Sequence, residues 1–473
     1  MPLNSRYSLL SLVTAACLTV ACANQTYHPK AIDAEKKADQ FASRNLDSPE
    51  LQSYMLSQGY PANAFPVSSW GIKELTLAAF FYHPQLAVAR AQWQSAQAKE
   101  ITAGQKPNPA VSGNIEHHSK TEGGVSPWTL GIGFDIPIET GDKRQARVDQ
   151  AASLSEAARI DIGQQAWEVR SRLRTSLLEY SAALHHTRLL QREADLQAAI
   201  VQMLQKRLEA GIVSDIDLAT ARLQQQKLLN TLASETARSA ELRAELAMAI
   251  GIPIPALADI QIDEKLPTPR PVDNLPSADL QRAALLNRLD IRSALARYDA
   301  AEQKLKLEIA KQQPDLVLSP GYIFDQGDNL WTLGFSMMLG LLNKNEGPIA
   351  EAEALREVEA RQFEALQMRI IGEQSQALAQ YASRLTELDK AENMVTAQQQ
   401  HIARSERQYK AGYIDRLEWT ATQLEGIAAE QGRLAATMRV LKALAALEDA
   451  LQHPLDEHTP LALPEQNLEE PQS

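Results

Sequence analysis

Between Trp128 and Ile138 apolar and polar positions alternate strictly. Trp128, Leu130, Ile132, Phe134, Ile136 and Ile138 fall on one parity, and Thr129, Gly131, Gly133, Asp135 and Pro137 on the other. This is the period of a β-strand with one apolar and one polar face, and its length suits a tilted strand crossing a bilayer, about 9 to 11 residues. The pattern returns from Trp331 to Leu341, where Trp331, Leu333, Phe335, Met337, Leu339 and Leu341 oppose Thr332, Gly334, Ser336, Met338 and Gly340. Partner stretches at Ala110–His118 and Asp315–Phe324 alternate less cleanly. Polar tips, SKTEGGVSP and DQGDN, join each pair, so both pairs read as hairpins. One such strand alone fits a half-buried soluble sheet. Two copies behind an export leader, each with a tryptophan at the same end, where interfacial aromatics gather, favour a membrane face. Four strands cannot close a barrel, which needs at least about eight, and open edges are not tolerated in hydrocarbon. Several chains must then contribute to one barrel.

Outside the hairpins the pattern is helical, and prolines draw its boundaries. None lies between Pro137 and Pro253, and none between Pro348 and Pro454; a proline inside a helix costs about 3 kcal/mol. One turn signal interrupts each gap: LEAGIVSDIDLATARLQ around Gly211 and YKAGYIDRLEWTATQLE around Gly412. Each glycine serves as a helix C-cap, with Ser214 or Asp415 as the next N-cap. At 1.5 Å per residue, Asp142–Ala210 predicts a helix of about 100 Å and Ser214–Ile250 one of about 55 Å, preceded by about 50 Å from Ile72 to Gln105. The second half repeats this as Ser277–Gln313, Pro348–Lys410 and Asp415–Leu451. Ala78–Pro109 aligns with Ala283–Pro314 at an offset of 205, the tryptophans at 203 and the turn glycines at 201, so the chain holds two copies of one unit. The expected division is a leader at 1–21, an irregular segment at 22–70, a first repeat at 71–250, a proline-rich connector at 251–276, a second repeat at 277–452 and a tail at 453–473. The irregular segments are expected to pack around the midsection of the helices.

Composition agrees with long helices: charged residues make up 22% and aromatics 5% of 473 residues. A net charge of −12 argues against a nucleic-acid partner. Met1–Ala21, with Arg6 before an apolar run, reads as an export signal too short to span a membrane. LTVAC, ending at Cys22, resembles a bacterial lipobox. Cys22 is therefore expected to carry a covalent lipid, palmitate included, and no other cofactor is expected. Cys17 leaves with the leader, so neither a disulfide nor a thiolate metal site can form. After Cys22 no apolar run approaches spanning length, so any crossing belongs to β-strands.

Taken together, residues 70 to 455 resemble the TolC-like outer-membrane factor family. IPIETGDKRQARVDQA (Ile136–Ala151) is similar to the Pro-x-Glu-x-Gly-Gly-Lys-Arg element of its heavy-metal efflux branch (CzcC-like and CusC-like), with Asp142 replacing the second glycine. LLNKNEGPIAEAEA (Leu341–Ala354) is similar to that branch's Phe-Asn-x-Asn-x-Gly-x-Ile element, with Leu342 in place of phenylalanine. The resemblance implies a mainly α fold with membrane β: a duplicated helix, strand, strand, long helix, helix unit, assembled as a homotrimer whose twelve-stranded β-barrel continues into a periplasmic α-helical barrel. It also implies a lipid-anchored outer-membrane protein of a Gram-negative cell that works with a periplasmic adaptor and an inner-membrane RND pump.

Candidate chemistry is sparse. His117–His118 and His185–His186 are adjacent in sequence and point apart, with no carboxylate or cysteine at ligand spacing, so no metal site and no catalytic residue is expected. No Gly-x-x-x-x-Gly-Lys-Ser/Thr loop occurs. Asp135 is expected to line the water side of its strand, while Trp128, Leu130, Ile132, Phe134, Trp331, Leu333 and Phe335 face lipid. At the hairpin tips, Asp215, Asp217, Asp415 and Glu418 would form rings in a trimer, attracting cations. The resemblance implies an acidic constriction there, matching Glu418 best. Helix N-capping explains these acids equally well. Gly211 and Gly412 resemble adaptor-docking tips, and capping explains them too. The expected function is a passive, non-enzymatic efflux duct for heavy-metal cations. The alternatives are a drug duct or protein-secretion channel of the same fold, or a periplasmic coiled-coil spacer lipoprotein.

Overall fold

A computed structural model describes residues 26–120, 123–258, 260–271, 282 and 286–455. The leader and Cys22 lie outside them, as do the tail from 456 onward and most of the predicted helix start between 277 and 285. The chain divides into two compact units at Arg44 and Asn45. In the first, α1 (Ala34–Ala42) starts at Asp33, whose carboxylate accepts from the Lys36 amide at 3.0 Å.

In the second unit, α2 (Pro49–Ser57), α3 (Ile72–Tyr82) and α4 (Pro84–Gly104) lead to β1 (Ala110–His117) and β2 (Trp128–Ile138). Then come α5 (Lys143–Glu209) and α6 (Asp215–Ile250). The second copy follows as α7 (Leu289–Ala310), β3 (Leu316–Asp325), β4 (Asp328–Met337), α8 (Glu346–Lys410) and α9 (Arg416–Leu451). The strands form one antiparallel sheet in the order β1-β2-β3-β4. Strand β2 is the alternating stretch residue for residue, whereas β4 starts three residues before Trp331 and stops four before Leu341. The β3–β4 turn consists of Gln326 and Gly327, both with positive φ (51° and 110°), the backbone that two-residue hairpins favour.

Four expectations are corrected. The segment from Tyr27 to Trp70 is not wholly irregular, since it holds α1, α2 and a 3-10 turn at Ala62–Ala64. The helix expected over Ile72–Gln105 is two, broken at His83, where the backbone is extended (φ −70°, ψ 124°); Pro84 disfavours helix at the residue before it. The second-copy helix breaks at the equivalent residue, Arg288 (φ −58°, ψ 137°), with no proline present. There the cause is tertiary: Arg288 is buried, donates to the carbonyls of Asp449 and Ala450, and pairs with Asp290. Finally, β4 is shorter than its alternating pattern.

The two main hydrophobic clusters lie near the midpoints of the long helices. Leu51, Met55, Trp70, Leu75, Phe80 and Leu257 pack on Val169, Leu173, Leu246 and Ile250, and Tyr381 and Leu388 of α8 pack on Val440, Leu444 and Leu447 of α9. The connector joins in here. The Trp70 amide donates to the Gln261 carbonyl at 2.8 Å, and the Tyr381 hydroxyl donates to the Arg270 carbonyl at 2.7 Å. A buried ionic cluster ties α5 to α9 at the same level: Arg170 and Arg174 both pair with Glu448, while Trp167, Ser171 and Arg174 donate to Asp449.

Candidate functional site

Cross-strand register sorts the sheet into two faces, because directly paired residues point the same way. Val111 faces Phe134, and Ile115 faces Leu130. Ile132 faces Tyr322, Ile136 faces Leu318 and Ile138 faces Leu316, while Leu318 faces Phe335, Pro320 faces Leu333 and Tyr322 faces Trp331. All four strands thus join in one apolar face. Its β4 portion is strongly exposed, with Trp331, Leu333 and Phe335 at 84%, 75% and 77%, a density of exposed apolar surface that marks contact with lipid or another protein. Near one end His117 packs edge-on against Trp128 with ring centres 4.6 Å apart, and Tyr322 packs at a tilt against Trp331 at 5.0 Å.

Opposite faces carry small and polar residues: Ser112, Gly131, Gly133, Ser319, Gly321, Thr332, Gly334 and Ser336. Asp135 accepts from the Ser319 hydroxyl at 2.6 Å. At the tryptophan end a single row runs across all four strands, Glu116, Thr129, Asp325 and Asp328, with Thr129 donating to Asp325 at 2.6 Å and bonded to His118 at 3.1 Å. This carboxylate row was invisible in the sequence, since its members come from three strands and meet only through register. The adjacent histidines separate as expected, His117 to the apolar face and His118 to the polar one.

Below the sheet, each strand passes into its long helix through left-handed backbone. Gly141 (φ 68°) and Asp142 (φ 57°) precede α5, and Asn345 (φ 61°) precedes α8. A Cβ on Gly141 would come within 2.8 Å of Gln313 Oε1 and 3.2 Å of the Ala310 carbonyl. The first junction is clamped to the second copy by the buried Lys143, which donates to Asp315 at 2.6 Å and to the Gln313 carbonyl at 2.5 Å. Thr140 reinforces it through its amide to Asp315 and its hydroxyl to the Pro314 carbonyl. At the second junction Asn343 accepts from the Asn345 amide, and Asn345 Nδ2 donates to the Glu308 carbonyl at 2.7 Å and carboxylate at 3.1 Å. Burial alone would raise the Glu308 pKa, but hydrogen bonds from Lys304, Lys311 and Asn345 outweigh it and hold the group at about 2.

At the far ends of the helices the two hairpin tips meet. Arg207 of α5 pairs with Asp415 at 2.7 Å, and Leu417 packs against the cluster of Leu204, Leu218 and Ala221. Asp415 also caps α9, accepting from the Glu418 amide at 2.9 Å; that bond, with Arg207, lowers its pKa. Asp217 closes a capping box with Ser214, whose hydroxyl and amide lower the pKa of Asp217. Two of the four tip acids are therefore engaged locally. The exposed carboxylates of Asp215 and Glu418 make no hydrogen bond or ion pair to a described residue. Gly211 (φ 69°) and Gly412 (φ 77°) sit at the turns, with nothing within 4 Å of a Cβ built on either. Ile212 and Tyr413, next to them, are exposed.

Among the described residues no group of three His, Cys, Asp or Glu is arranged to hold a metal ion, and no helix is long and apolar enough to cross a membrane. Residues 81–251 match the Outer membrane efflux protein family. The cobalt-zinc-cadmium resistance protein CzcC of Cupriavidus metallidurans is 27% identical over 288 residues, 60% of this chain and 66% of that relative's length. The crystal structure of the outer membrane protein VceC from Vibrio cholerae superposes with a TM-score of 0.66 at 20% identity, covering 81% of this chain and 97% of that one. A structure of CusC gives 0.64 at 17% identity, covering 81% and 92%. At these identities the structural likeness speaks for the fold.

Proposed function

We propose that this chain, a TolC-like outer-membrane factor by family and fold, is the passive, trimeric exit duct of a tripartite efflux system and discharges heavy-metal cations from the cell. The observation that carries the reading is the four-stranded sheet with one continuous apolar face and two free edges, running through clamped junctions into α5 and α8, each about 100 Å long. Hydrocarbon accepts the apolar face but not unpaired peptide edges, so the sheet is one sector of a barrel built by several copies. Three copies make twelve strands, with the polar faces turned to a water-filled bore and the helices reaching through the periplasm toward an adaptor and an RND pump. A lipid on Cys22 would hold the N-terminus at the same membrane.

Metal export is supported by the CzcC relative and by the two junction elements. It requires no metal site in the duct, because a wide aqueous tube selects weakly and the pump chooses the cargo. What the duct contributes is an electrostatic bias. Asp215 and Glu418 at the tips, and Glu116, Asp325 and Asp328 at the other end of the bore, would each recur three times, attracting cations and impeding anions.

In planar bilayers the purified protein should conduct, with cation preference. Asp215→Ala with Glu418→Ala should move the reversal potential under a salt gradient toward the unselective value; an unchanged potential would remove the tip acids from selectivity. Absence of conductance in the wild type and in these variants would favour the spacer reading. Deleting the gene should lower tolerance to zinc, cadmium, cobalt, copper or silver; unchanged metal tolerance with lost drug tolerance would reassign the cargo to organic compounds.

A further inference from the structure

At the level of the two main hydrophobic clusters, a cavity of about 200 Å³ lies between the start of α3, the middle of α5, the end of α9 and the connector. Leu177 and Leu178 of α5 and Leu441 and Leu444 of α9 give it apolar walls. Its polar lining comes from Arg170, Arg174 and Ser181 of α5, Glu448 of α9, and Asp263 and Lys265 of the connector. Arg170 and Ser181 are each 2% exposed and Glu448 3%, so these groups lie deep. Asp263 and Lys265 are exposed and mark the mouth.

The acceptors around this space are already engaged. Glu448 accepts from Arg170, from Arg174 and from the Leu455 amide at 3.0 Å, and Asp263 accepts from the Lys265 amide at 3.0 Å. Two donors are left over. The Ser181 hydroxyl makes no hydrogen bond to a described residue, and the Lys265 ammonium makes no ion pair to one. A buried hydroxyl without a partner is costly, and native interiors rarely leave one so. Spare donors beside leucine walls suit a ligand that brings an acceptor on an apolar body. Size narrows the class further: drug-sized ligands occupy about 300–1,000 Å³, whereas an apolar cavity of about 150 Å³ holds benzene, so the space admits one ring and a small head group. We propose that this cavity binds a small carboxylate with an apolar body, its head between Ser181 and Lys265 and its body against Leu177, Leu441 and Leu444. Such a ligand fastens the connector to α5, beside the link that Glu448 makes between α5 and α9. Binding there does not depend on whether the bore conducts.

Equilibrium dialysis of benzoate against the purified full-length protein in detergent, with protein-free micelles subtracted, tests the site, and benzamide serves as its uncharged counterpart. Wild type should take up benzoate saturably, one per chain, and should melt at a higher temperature as benzoate is added. Benzamide should bind about tenfold more weakly. Lys265→Met, an exposed change at the mouth, should weaken benzoate about tenfold, the worth of one charge-assisted hydrogen bond. Ser181→Leu, which fills the cavity, should abolish uptake. No saturable uptake by the wild type overturns the proposal and leaves the space to water. Equal affinity for benzamide removes the carboxylate. Undiminished uptake by a Ser181→Leu protein that melts as wild type does moves the binding elsewhere. Should Ser181→Leu fail to fold, Lys265→Met decides, since unchanged benzoate affinity in that variant also overturns the site. In each of these cases conductance in planar bilayers is unaffected, so the export reading is tested separately.

Discussion

Asp142 stands where the heavy-metal branch has the second glycine of a pair, and the structure gives that position φ 57° with no capping bond from its carboxylate. A left-handed residue with a Cβ is strained, less so for Asp than for most. Asp142→Gly should therefore raise thermal stability, by up to about 1 kcal/mol, while Asp142→Val should lower it; melting in detergent checks both. Glu308 offers a second residue-scale test. Its folded pKa of about 2 lies below the ordinary 4.5, so its contribution is full above about 4.5 and is lost as pH falls through about 2. The amount is on the order of 2 kcal/mol, allowing for the partly exposed Lys304 and Lys311. Acid melts of Glu308→Gln should be flatter than wild type over that window. At the tips, the pair of Arg207 and Asp415 is exposed enough to be worth less than about 1 kcal/mol, and is easily released if the hairpins part.

The elements were legible in the sequence to different degrees, for physical reasons. Strand β2 and helices α5, α6, α8 and α9 lie within a residue or two of the bounds that alternation, prolines and caps set, because their signals are local. The break at Arg288 was not legible, since nothing in Arg288-Leu289 resembles His83-Pro84. It follows from buried contacts with the far end of α9. Nor could alternation show where β4 ends, because the strand stops where its partner does, at Met337 opposite Leu316, the first residue of β3. Among the candidate residues, the apolar parity of Trp128 to Ile138 was readable, but the partners of Asp217 and Asp415 and the carboxylate row were not. The fastening of α9 to α5 through Glu448, buried between Arg170 and Arg174, is likewise tertiary. Glu448→Ala should cost about 3 kcal/mol by removing the carboxylate buried between the two guanidinium groups, and a detergent melt should show it, with the far-UV helical signal retained at low temperature.

For the second unit as a whole, the unequal burial of its two long helices matters most. Helix α5 buries 22 of 67 residues and α8 only seven of 65, although both have similar composition. Among the described elements the first packs mainly against α3, α4, α6, α7 and α9, the second mainly against α7 and α9, which leaves α8 the more exposed of the two. On the apolar side of the sheet, Phe134→Arg at mid-strand should cost about 2–4 kcal/mol of membrane stability and lower the amount of protein recovered in the outer-membrane fraction, whereas Ser336→Arg on the polar face should leave it unchanged.

The two strand hairpins turn at the same end of the sheet by unlike means: ten residues separate β1 from β2, and two separate β3 from β4. Around a closed rim built from three copies, long and short caps would alternate. The cell exterior would then meet three small flaps with flush gaps between them. Antibodies and phages would find little to grip beyond those flaps, and epitope insertions should be tolerated in the first loop but not at Gln326–Gly327.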